Sequence, residues 1–535
     1  LHRYISLRYS LHFNQEVYMN KNRRPSPSAT TAKATRAKSV AKKVGLRPLK
    51  PGEKRRVAMI GYGIQMRTVL IPQFLNPENA PNMKIVAVCD CDRVRAAAGA
   101  KQVNDFSKNK GCKAVHDFRD IIRDPSIDAV CIAAPDHWHA YMSVEAMKHG
   151  KDVYCEKPLT FSIDEAKQVI AAQKKYGRVF QTGSMQRSWA EVSEFRAACM
   201  IVRNGFIGDV KYVDANYGVG GKKLGGPSHP VRFFDDPQNA ATEGAPNPDV
   251  DWDLWLGPAK WRPYSDRLAP RGVNTFYPMF WRFDDDIGSG YNGDWGAHHL
   301  DIAQWGIDMD DAGPYKVLRS DEPYSTDLYH GGRRQFGMRM LFKSKKDGSD
   351  IELYHGPFGV ITGAGGWGTV FYGTKGIVAV NRGKLAVWEG FDATARRPNL
   401  KMRQAIESMT YRPRKVVAAS VGKDYGTDSS AKEDNALAAV LDKLSRHFKL
   451  DTAPVQLYKS ANQVKNFCEC VETRKPTISP ASVGGRSCTL CLLCNMSYQY
   501  DTGFDWDGAK MDFADGSKIR LPLARADYRG WDIVV

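Results

Sequence analysis

From Arg55 to Ser184, short apolar runs recur with helix-patterned stretches between them. This alternation limits the possible fold more than any other feature of the chain. The runs are RRVAMIG (55–61), MKIVAVCD (83–90), IDAVCIAAP (127–135), KDVYCEKP (151–158) and RVFQTGS (178–184). They show little polar–apolar alternation, so each suits a strand buried on both faces. RVRAAAGAKQV (93–103) and HAYMSVEAMKHG (139–150) read as helices between them. A third helix opens at Ser162, where Glu165 completes a capping box, and closes at Gly177. Strands alternating with helices imply βαβ units, a parallel sheet and right-handed crossovers.

After residue 205 the texture changes. GDVKYVDANYGV (208–219) alternates, and a Gly/Pro/Asn-rich stretch then runs to about residue 250. RQFGMRMLFKS (334–344), DIELYHG (350–356), TVFYGTKGIVAV (369–380) and KLAVWEG (384–390) are short, alternating and separated by glycine turns. This predicts a second, mostly antiparallel α+β region. Residues 391–434 are polar and irregular and are expected to form a surface insertion.

Composition narrows the function class. The chain has 535 residues, 42% hydrophobic and 25% charged, ordinary for a globular protein. No apolar run approaches the ~18 residues of a membrane span, so no membrane partner is expected. A net charge of +18 would suit a nucleic-acid binder. However, fifteen Lys and Arg against two acids, Glu16 and Glu53, fall within the first 56 residues, leaving +5 for all the rest. Nucleic acid is therefore not an expected partner. The basic stretch is rich in Ser, Thr, Ala, Pro and Lys, has no hydrophobic periodicity, and is expected to be disordered. Arg23-Arg24 is similar to a twin-arginine signal, yet Pro25 follows and no apolar run comes after, so no cleavable export signal is expected. Met19 is the expected start residue. Eleven scattered cysteines, an odd number, fit a reducing compartment, and a cytoplasmic location is expected.

The loop GYGIQM (61–66) follows the first strand and opens a helix. Gly61 and Gly63 fill the first two positions of G-x-G-x-x-G, and Met66 stands at the third, which predicts a slightly displaced helix. The first glycine makes a tight turn and the second lets backbone approach a pyrophosphate at a helix N-terminus. Gly61, Tyr62, Gly63, Ile64 and Gln65 are thus expected to bind a dinucleotide. Asp90 closes the second strand, where an acid can accept from the adenosine ribose 2′-OH. It lies further from Gly61 than the usual spacing, and the loop NPENAPN (76–82) absorbs the excess. A carboxylate there repels a 2′-phosphate, so NAD is expected, with NADP left open by Arg93 and Arg95.

Three motifs follow in order: APDHWHA (134–140), CEKPL (155–159) and GDWGAHHLD (293–301). With the glycine loop, this set resembles the glucose-fructose oxidoreductase / inositol dehydrogenase / MocA (Gfo/Idh/MocA) family over roughly residues 55–535. DWDLWLGPA (251–259), YGTKG (372–376) and the stretch FDWD…ARADYRGWDI are similar to a large bacterial branch of it. The resemblance implies an N-terminal Rossmann domain, a C-terminal domain with a large, mostly antiparallel open sheet carrying the substrate, a nicotinamide cofactor and, in many members, oligomers. The expected domains are a basic tail (1–54), a Rossmann domain (55–185) and a substrate-binding α+β domain (186–535), in a homo-oligomer. Carried over by position, Lys157 of the EKP lies near the nicotinamide ribose and the substrate hydroxyl. Asp294 and His298 match the D-x-x-x-H motif. His137 to His139 line the cofactor side, and Gln186 and Arg187 belong to a loop near the same cleft. Ala134, Pro135, His139, Glu156, Lys157 and Gln186 join the expected cofactor contacts.

The residue types suit that chemistry. Four residues apart on a helix, Asp294 and His298 share a face, where the carboxylate can set the imidazole tautomer and raise its basicity. Hydride removal from a carbinol needs a base for the hydroxyl proton, which His298 supplies, while Lys157 stabilises developing alkoxide. His299 and Asp301 are adjacent competitors. The catalytic set is therefore Lys157, Asp294 and His298, and the expected function is NAD-dependent hydride transfer with a sugar, polyol or sugar derivative. Two alternatives stay open: an NAD-retaining glycosidase or lyase working by transient oxidation, and a non-catalytic nucleotide-binding protein. CTLCLLC (488–494) has three cysteines at cluster-like spacing but lacks a fourth, and reads as a buried helical face, so no metal is expected. Cys155 reads as strand core, and the tryptophans of WDLWLGPAKW (252–261) as core or interface aromatics rather than a sugar platform.

Overall fold

The computed structural model describes residues 48–108, 110–188, 193–216, 247–273, 280–284, 286–290, 292–319, 338–355, 368–407, 415–421 and 435–535. The basic tail up to residue 47 and the Gly/Pro/Asn-rich stretch 217–246 lie outside them.

The five apolar runs become strands of one parallel sheet: β1 (Arg55–Ile60), β2 (Met83–Cys89), β4 (Ala129–Ile132), β5 (Asp152–Cys155) and β6 (Phe180–Thr182). A sixth, β3 (Lys113–Val115), pairs with β2 at the edge. The order β3-β2-β1-β4-β5-β6 is that of a doubly wound dinucleotide-binding sheet. The connecting helices are α1 (Ile71–Leu75), α2 (Arg93–Ser107), α3 (Phe118–Arg123), α4 (Asp136–Lys148) and α5 (Ile163–Tyr176). Local chemistry sets their ends. Asp92 caps α2 by accepting from Val94 and Arg95 N–H, and Ser162 and Glu165 form the expected capping box on α5. Gly177 ends α5 at φ +62°, a conformation that glycine adopts without a Cβ penalty.

The second region opens with α6 (Glu194–Arg203) and β7 (Val210–Ala215). It continues through α7 (Trp252–Leu256) and α8 (Ala297–Gly306) to β8 (Lys316–Leu318), β9 (Met338–Lys343), β10 (Asp350–His355), β11 (Thr369–Gly373), β12 (Gly376–Asn381) and β13 (Lys384–Glu389). Then come α9 (Leu400–Glu407), β14 (Lys415–Val421), α10 (Asn435–Phe448), α11 (Gln463–Thr473), α12 (Ala481–Gln499), β15 (Phe504–Asp507) and β16 (Asp512–Phe513). Ten strands form one sheet in the order β14-β13-β12-β11-β7-β10-β9-β8-β15-β16. Every pairing is antiparallel except β7 with β10.

One expectation is corrected here. The stretch 391–434 is not simply an irregular surface insertion. It contributes α9, whose Met402 and Ile406 bury against Tyr372 and Trp388, and β14, which pairs along β13. Two apolar side chains four apart on a short helix were enough to dock a stretch that reads as polar overall. The late helices also return to the first sheet. Phe467 of α11 packs edge-on against Phe74 and Tyr154, and α12 lies against both α5 and α8. A single buried cluster joins Val130 and Val153 of the first sheet to Cys491 of α12, Leu300 of α8 and Phe371 of the second sheet. Among the described residues no helix is long and apolar enough to cross a membrane.

Candidate active site

A cleft of about 570 Å³ opens at the carboxyl ends of β1 and β4, where the strand order reverses and where open α/β sheets take their ligands. The glycine loop forms one wall. Gly61 has φ +88°, and a Cβ there would lie 2.7 Å from the Ala133 carbonyl oxygen. Only glycine lets the loop cross the adjacent strand end so closely. A Cβ on Gly63 would meet nothing within 4 Å, so the backbone there faces open cleft. Met66 is fully buried and begins a π-helical turn, Met66–Leu70, before α1. The expected displacement of the helix takes this form. Asp90, at the end of β2, accepts from Tyr62 N–H at 2.7 Å and from Asp92 N–H at 2.9 Å. Each oxygen retains a lone pair for a further donor. Arg95 is engaged elsewhere: it lies 3.4 Å from Asp92 and donates to the Pro270 carbonyl at 2.9 Å. This cradle and carboxylate fit the pyrophosphate and ribose of a nicotinamide dinucleotide.

The other end of the cleft holds the candidate chemistry. Glu156 ends buried behind Lys157, accepting from Gln65 Nε2 at 3.1 Å and from Lys157 N–H at 3.3 Å. Burial raises its pKa, opposed chiefly by the charge of Lys157. The Lys157 ammonium donates to the Asp294 carbonyl oxygen at 2.6 Å and to its carboxylate at 2.8 Å. An ammonium has three N–H donors, so one remains for a ligand oxygen. Arg282 approaches the other Asp294 oxygen at 3.5 Å.

His298 also lines the cleft. Its Nδ1 is buried without a hydrogen-bond partner, and burial, then the charges of Lys157 and Arg382, hold its pKa well below the usual histidine value. The expected carboxylate–imidazole bond between Asp294 and His298 is therefore not the one formed through Nδ1. Asn292–Gly296 is a π-helical turn leading into α8, so positions four apart there do not stack as on an α-helix. Asp294 turns to Lys157 instead. Side chains from three directions brace the turn. Asn292 donates to Asn495 Oδ1 at 2.7 Å, Asn495 donates to the Ser289 carbonyl at 3.0 Å, and His355 Nε2 meets Asn292 Oδ1 at 3.1 Å.

Of the residues expected at the site, Gly61, Gly63, Ile64, Gln65, Asp90, Ala134, Pro135, His139, Glu156, Lys157, Asp294 and His298 line this one cleft. Four do not. Tyr62 packs behind the loop, its hydroxyl donating to Gln102 at 2.9 Å. Gln186, with its amide oriented by its hydrogen-bonding neighbours, donates to the His298 carbonyl at 2.8 Å and accepts from Arg382 Nε at 3.2 Å, so it braces the site from behind. Arg187 is buried between Asp301 and Asp310, with contacts of 2.7–2.8 Å to both carboxylates. His137 turns away, its Nε2 meeting the Trp255 carbonyl at 3.1 Å. The Arg187 contact also accounts for Asp301, while His299 packs against Gly368 with its pKa lowered to about 3, by burial first and Arg382 next. His139 lies between two carbonyl oxygens, Pro158 at 2.7 Å and Ala134 at 2.8 Å. Both ring nitrogens face acceptors, which favours the doubly protonated ring.

Sequence reasoning missed Trp281, Arg282, Trp295 and Arg382, all of which line the cleft. The aromatic–basic pair Trp281-Arg282 just upstream of Asp294 was a usable signal. Arg382 stands in the tight turn between β12 and β13 and gives none. Trp255 also reaches the cleft while stacking on Trp252 at 4.8 Å, so that tryptophan group is both packing and wall. Cys488, Cys491 and Cys494 are buried along α12; Cys488 donates to the Thr160 carbonyl and Cys491 to that of Ser487. All eleven cysteines are unpaired.

Comparison with known proteins matches residues 55–184 to the NAD-binding Rossmann fold of an oxidoreductase family and residues 233–354 to the same family's C-terminal alpha/beta domain. The chain is 39% identical over 108 residues to an inositol 2-dehydrogenase of Rubrobacter xylanophilus, covering 20% of this chain and 29% of the relative. It is 31% identical over 141 residues to glycosyl hydrolase family 109 protein 2 of Shewanella sp. (strain ANA-3), covering 26% and 30%. The chain spans less than half the length of the curated relatives it matches. A crystal structure of an oxidoreductase domain protein from Kribbella flavida shares the fold at 17% identity and a TM-score of 0.50, covering 85% of this chain and 99% of that one.

Proposed function

The chain belongs to the Gfo/Idh/MocA oxidoreductase family, and from that premise we propose that its cleft transfers hydride between NAD and a hydroxyl-bearing carbon of a sugar, polyol or sugar derivative. The observation that carries this reading is Lys157, fixed by Asp294 at 2.6 and 2.8 Å in the cleft that also holds the glycine loop, Asp90 and His298.

NAD, when bound, supplies the hydride acceptor. The backbone at Gly61 and Gly63 leaves room for its pyrophosphate, and Asp90 favours a free ribose 2′-OH over a phosphate. Arg95 is held by Asp92 and by the Pro270 carbonyl, which supports NAD over NADP. Lys157 directs its remaining N–H to the substrate oxygen, and its charge stabilises the alkoxide that develops there. His298, neutral because it is buried beside cations, takes the hydroxyl proton. Asp294 sets the direction of the ammonium rather than the tautomer of the imidazole. Homo-oligomerisation belongs to the same proposal and is measured by sedimentation. A cytoplasmic location is proposed on the unpaired cysteines.

A redox-neutral reading uses the same residues: oxidation, elimination of a glycosidic leaving group, then reduction. Two matched relatives carry a glycosyl hydrolase name. The test is a panel of sugars and polyols followed by NADH absorbance, with an aryl glycoside run in parallel without added NAD. Turnover in the first arm alone supports the dehydrogenase, and turnover in the second supports the glycosidase. NAD binding with no turnover in either arm would leave only a nucleotide-binding role.

A further inference from the structure

We infer that Arg382, at the tip of the hairpin between β12 and β13, is a positioning residue for the proposed base: it clamps His298 through Trp295 on one side and Gln186 on the other. The inference rests on the proposed hydride-transfer reading and extends it to a residue outside the catalytic set.

A base that removes a hydroxyl proton needs its ring held within hydrogen-bond reach of that proton. The outer torsion of a histidine is broad and two-fold, so neighbours must do the holding. Among the described residues the His298 Nδ1 has no hydrogen-bond partner, and Asp294 is turned to Lys157. What the imidazole meets is Trp295, edge-on, with ring centroids 5.7 Å apart at 64°. Arg382 lies over that same indole, its guanidinium carbon 5.0 Å from the ring centroid, an attractive cation–π contact. From behind, Gln186 donates to the His298 carbonyl at 2.8 Å and accepts from Arg382 Nε at 3.2 Å. One guanidinium therefore touches both groups that fix the histidine: the ring beside its side chain and the amide on its backbone.

The hairpin is built to put Arg382 there. β12 and β13 pair as far as Asn381 with Lys384, which leaves Arg382 and Gly383 as a two-residue turn. Gly383 takes φ +71°, which glycine does without strain. Its N–H donates to the Glu194 carboxylate of α6 at 2.9 Å, and the Arg382 N–H donates to Asn381 Oδ1 at 2.8 Å. Hairpin tips ordinarily lie in water, yet Arg382 is only 4% exposed. Burying a guanidinium against a cleft wall costs desolvation free energy, and a positioning duty accounts for that placement. Its charge also acts on the base. After burial, Lys157 at the end of β5, Arg382 and His299 all disfavour a proton on His298. The other charged groups on the surrounding elements are engaged: Asp294 with Lys157 and Arg282, Arg187 with Asp301 and Asp310, and Asp214 of β7 with the Tyr372 hydroxyl of β11. His355 of β10 bonds Asn292, and burial keeps the Cys199 and Cys491 thiols of α6 and α12 protonated. Arg382 thus keeps the imidazole both aimed and neutral.

The experiment uses the full chain with NAD and a carbohydrate that the unmutated chain oxidises, followed by NADH absorbance across pH. Arg382→Met is expected to lower kcat by about 10-fold or more, the scale on which a misplaced group costs rate, with KM and NAD affinity nearly unchanged. The acid limb of kcat/KM should move up toward about 6.5, the ordinary histidine value, because a cation beside the ring is gone. Arg382→Lys restores the charge without the planar fork that spans Trp295 and Gln186. Its acid limb should return toward the native position while kcat recovers only in part. Native kcat and an unmoved limb in Arg382→Met overturn the inference. A fall in kcat with the limb unmoved leaves only a structural role and overturns it too. A raised KM with native kcat and limb makes Arg382 a substrate contact and likewise overturns it. If Arg382→Met does not fold, Gln186→Met cuts one arm of the clamp and decides: its kcat should fall at unchanged KM, and a native kcat overturns the inference. No turnover of any carbohydrate by the unmutated chain would instead overturn the hydride-transfer reading on which the clamp rests.

Discussion

At the residue scale the account turns on Lys157 and on what its partner does. Asp294 holds the ammonium with one carboxylate oxygen, so in the proposed reaction the pair serves as a positioned cation beside the His298 imidazole. Lys157→Met keeps much of the bulk and removes the charge. It is expected to lower turnover by about 10²–10³, the cost of one preorganised electrostatic contact. His298→Ala is expected to lower it by about 10²–10⁴ with NAD binding preserved, as read by NADH fluorescence. The pH profile gives a second check on His298. Its pKa is depressed by burial and then by Lys157 and Arg382, so the neutral form persists as pH falls below about 6.5, the ordinary histidine value. The acid limb of kcat/KM assigned to this base should lie below that value, and a limb above pH 7 would contradict the assignment. At the adenosine end, Asp90→Ser should narrow the preference for NAD over NADP, measured as the ratio of the two dissociation constants.

At the element scale, α8 and β10 carry histidines that folding keeps neutral. Burial lowers His299 to about 3 and His355 to about 4. Below about pH 6.5 the unfolded chain binds protons that the folded chain refuses, so stability falls as pH drops from there through the folded values. Well inside that window each such histidine adds a slope of about 1.4 kcal/mol per pH unit. Denaturant melts at pH 7.5 and pH 5 should show the loss, and His355→Gln should reduce it. Arg187 holds α8 from the other side. Arg187→Met leaves Asp301 buried, and Asp310 half-buried, without their cation and should cost about 3–5 kcal/mol in the same melts. These elements also show what was legible. The strands β1, β2, β4, β5 and β6 announce themselves because both faces are buried and leave unbroken apolar runs. Edge strand β3 does not, because Lys113 and Ala114 are exposed and there is no run to read. The D-x-x-x-H spacing located Asp294 and His298 but misjudged their pairing, since a π-helical turn leaves no trace in a four-residue spacing. Arg382 was invisible because only the ten-stranded sheet brings its turn to the cleft.

At the scale of the whole molecule, two sheets share one buried cluster, and the site lies where the first of them faces α8 of the second region. The net charge says little about this body, since most of it belongs to the first 56 residues. Removing residues 1–47 is therefore expected to leave the melting temperature and NAD content unchanged. A large drop in either would show that the segment contributes to the fold. Lys157 is proposed to drive hydride transfer in this cleft, and the decisive experiment is single-turnover reduction of bound NAD. Chain carrying equal NAD, native or Lys157→Met, is mixed with a carbohydrate that the native chain oxidises, and the rise of NADH absorbance is followed. The expected rate is at least 10²-fold slower in the variant at unchanged NAD occupancy; equal rates in the two proteins would remove Lys157 from the transfer step.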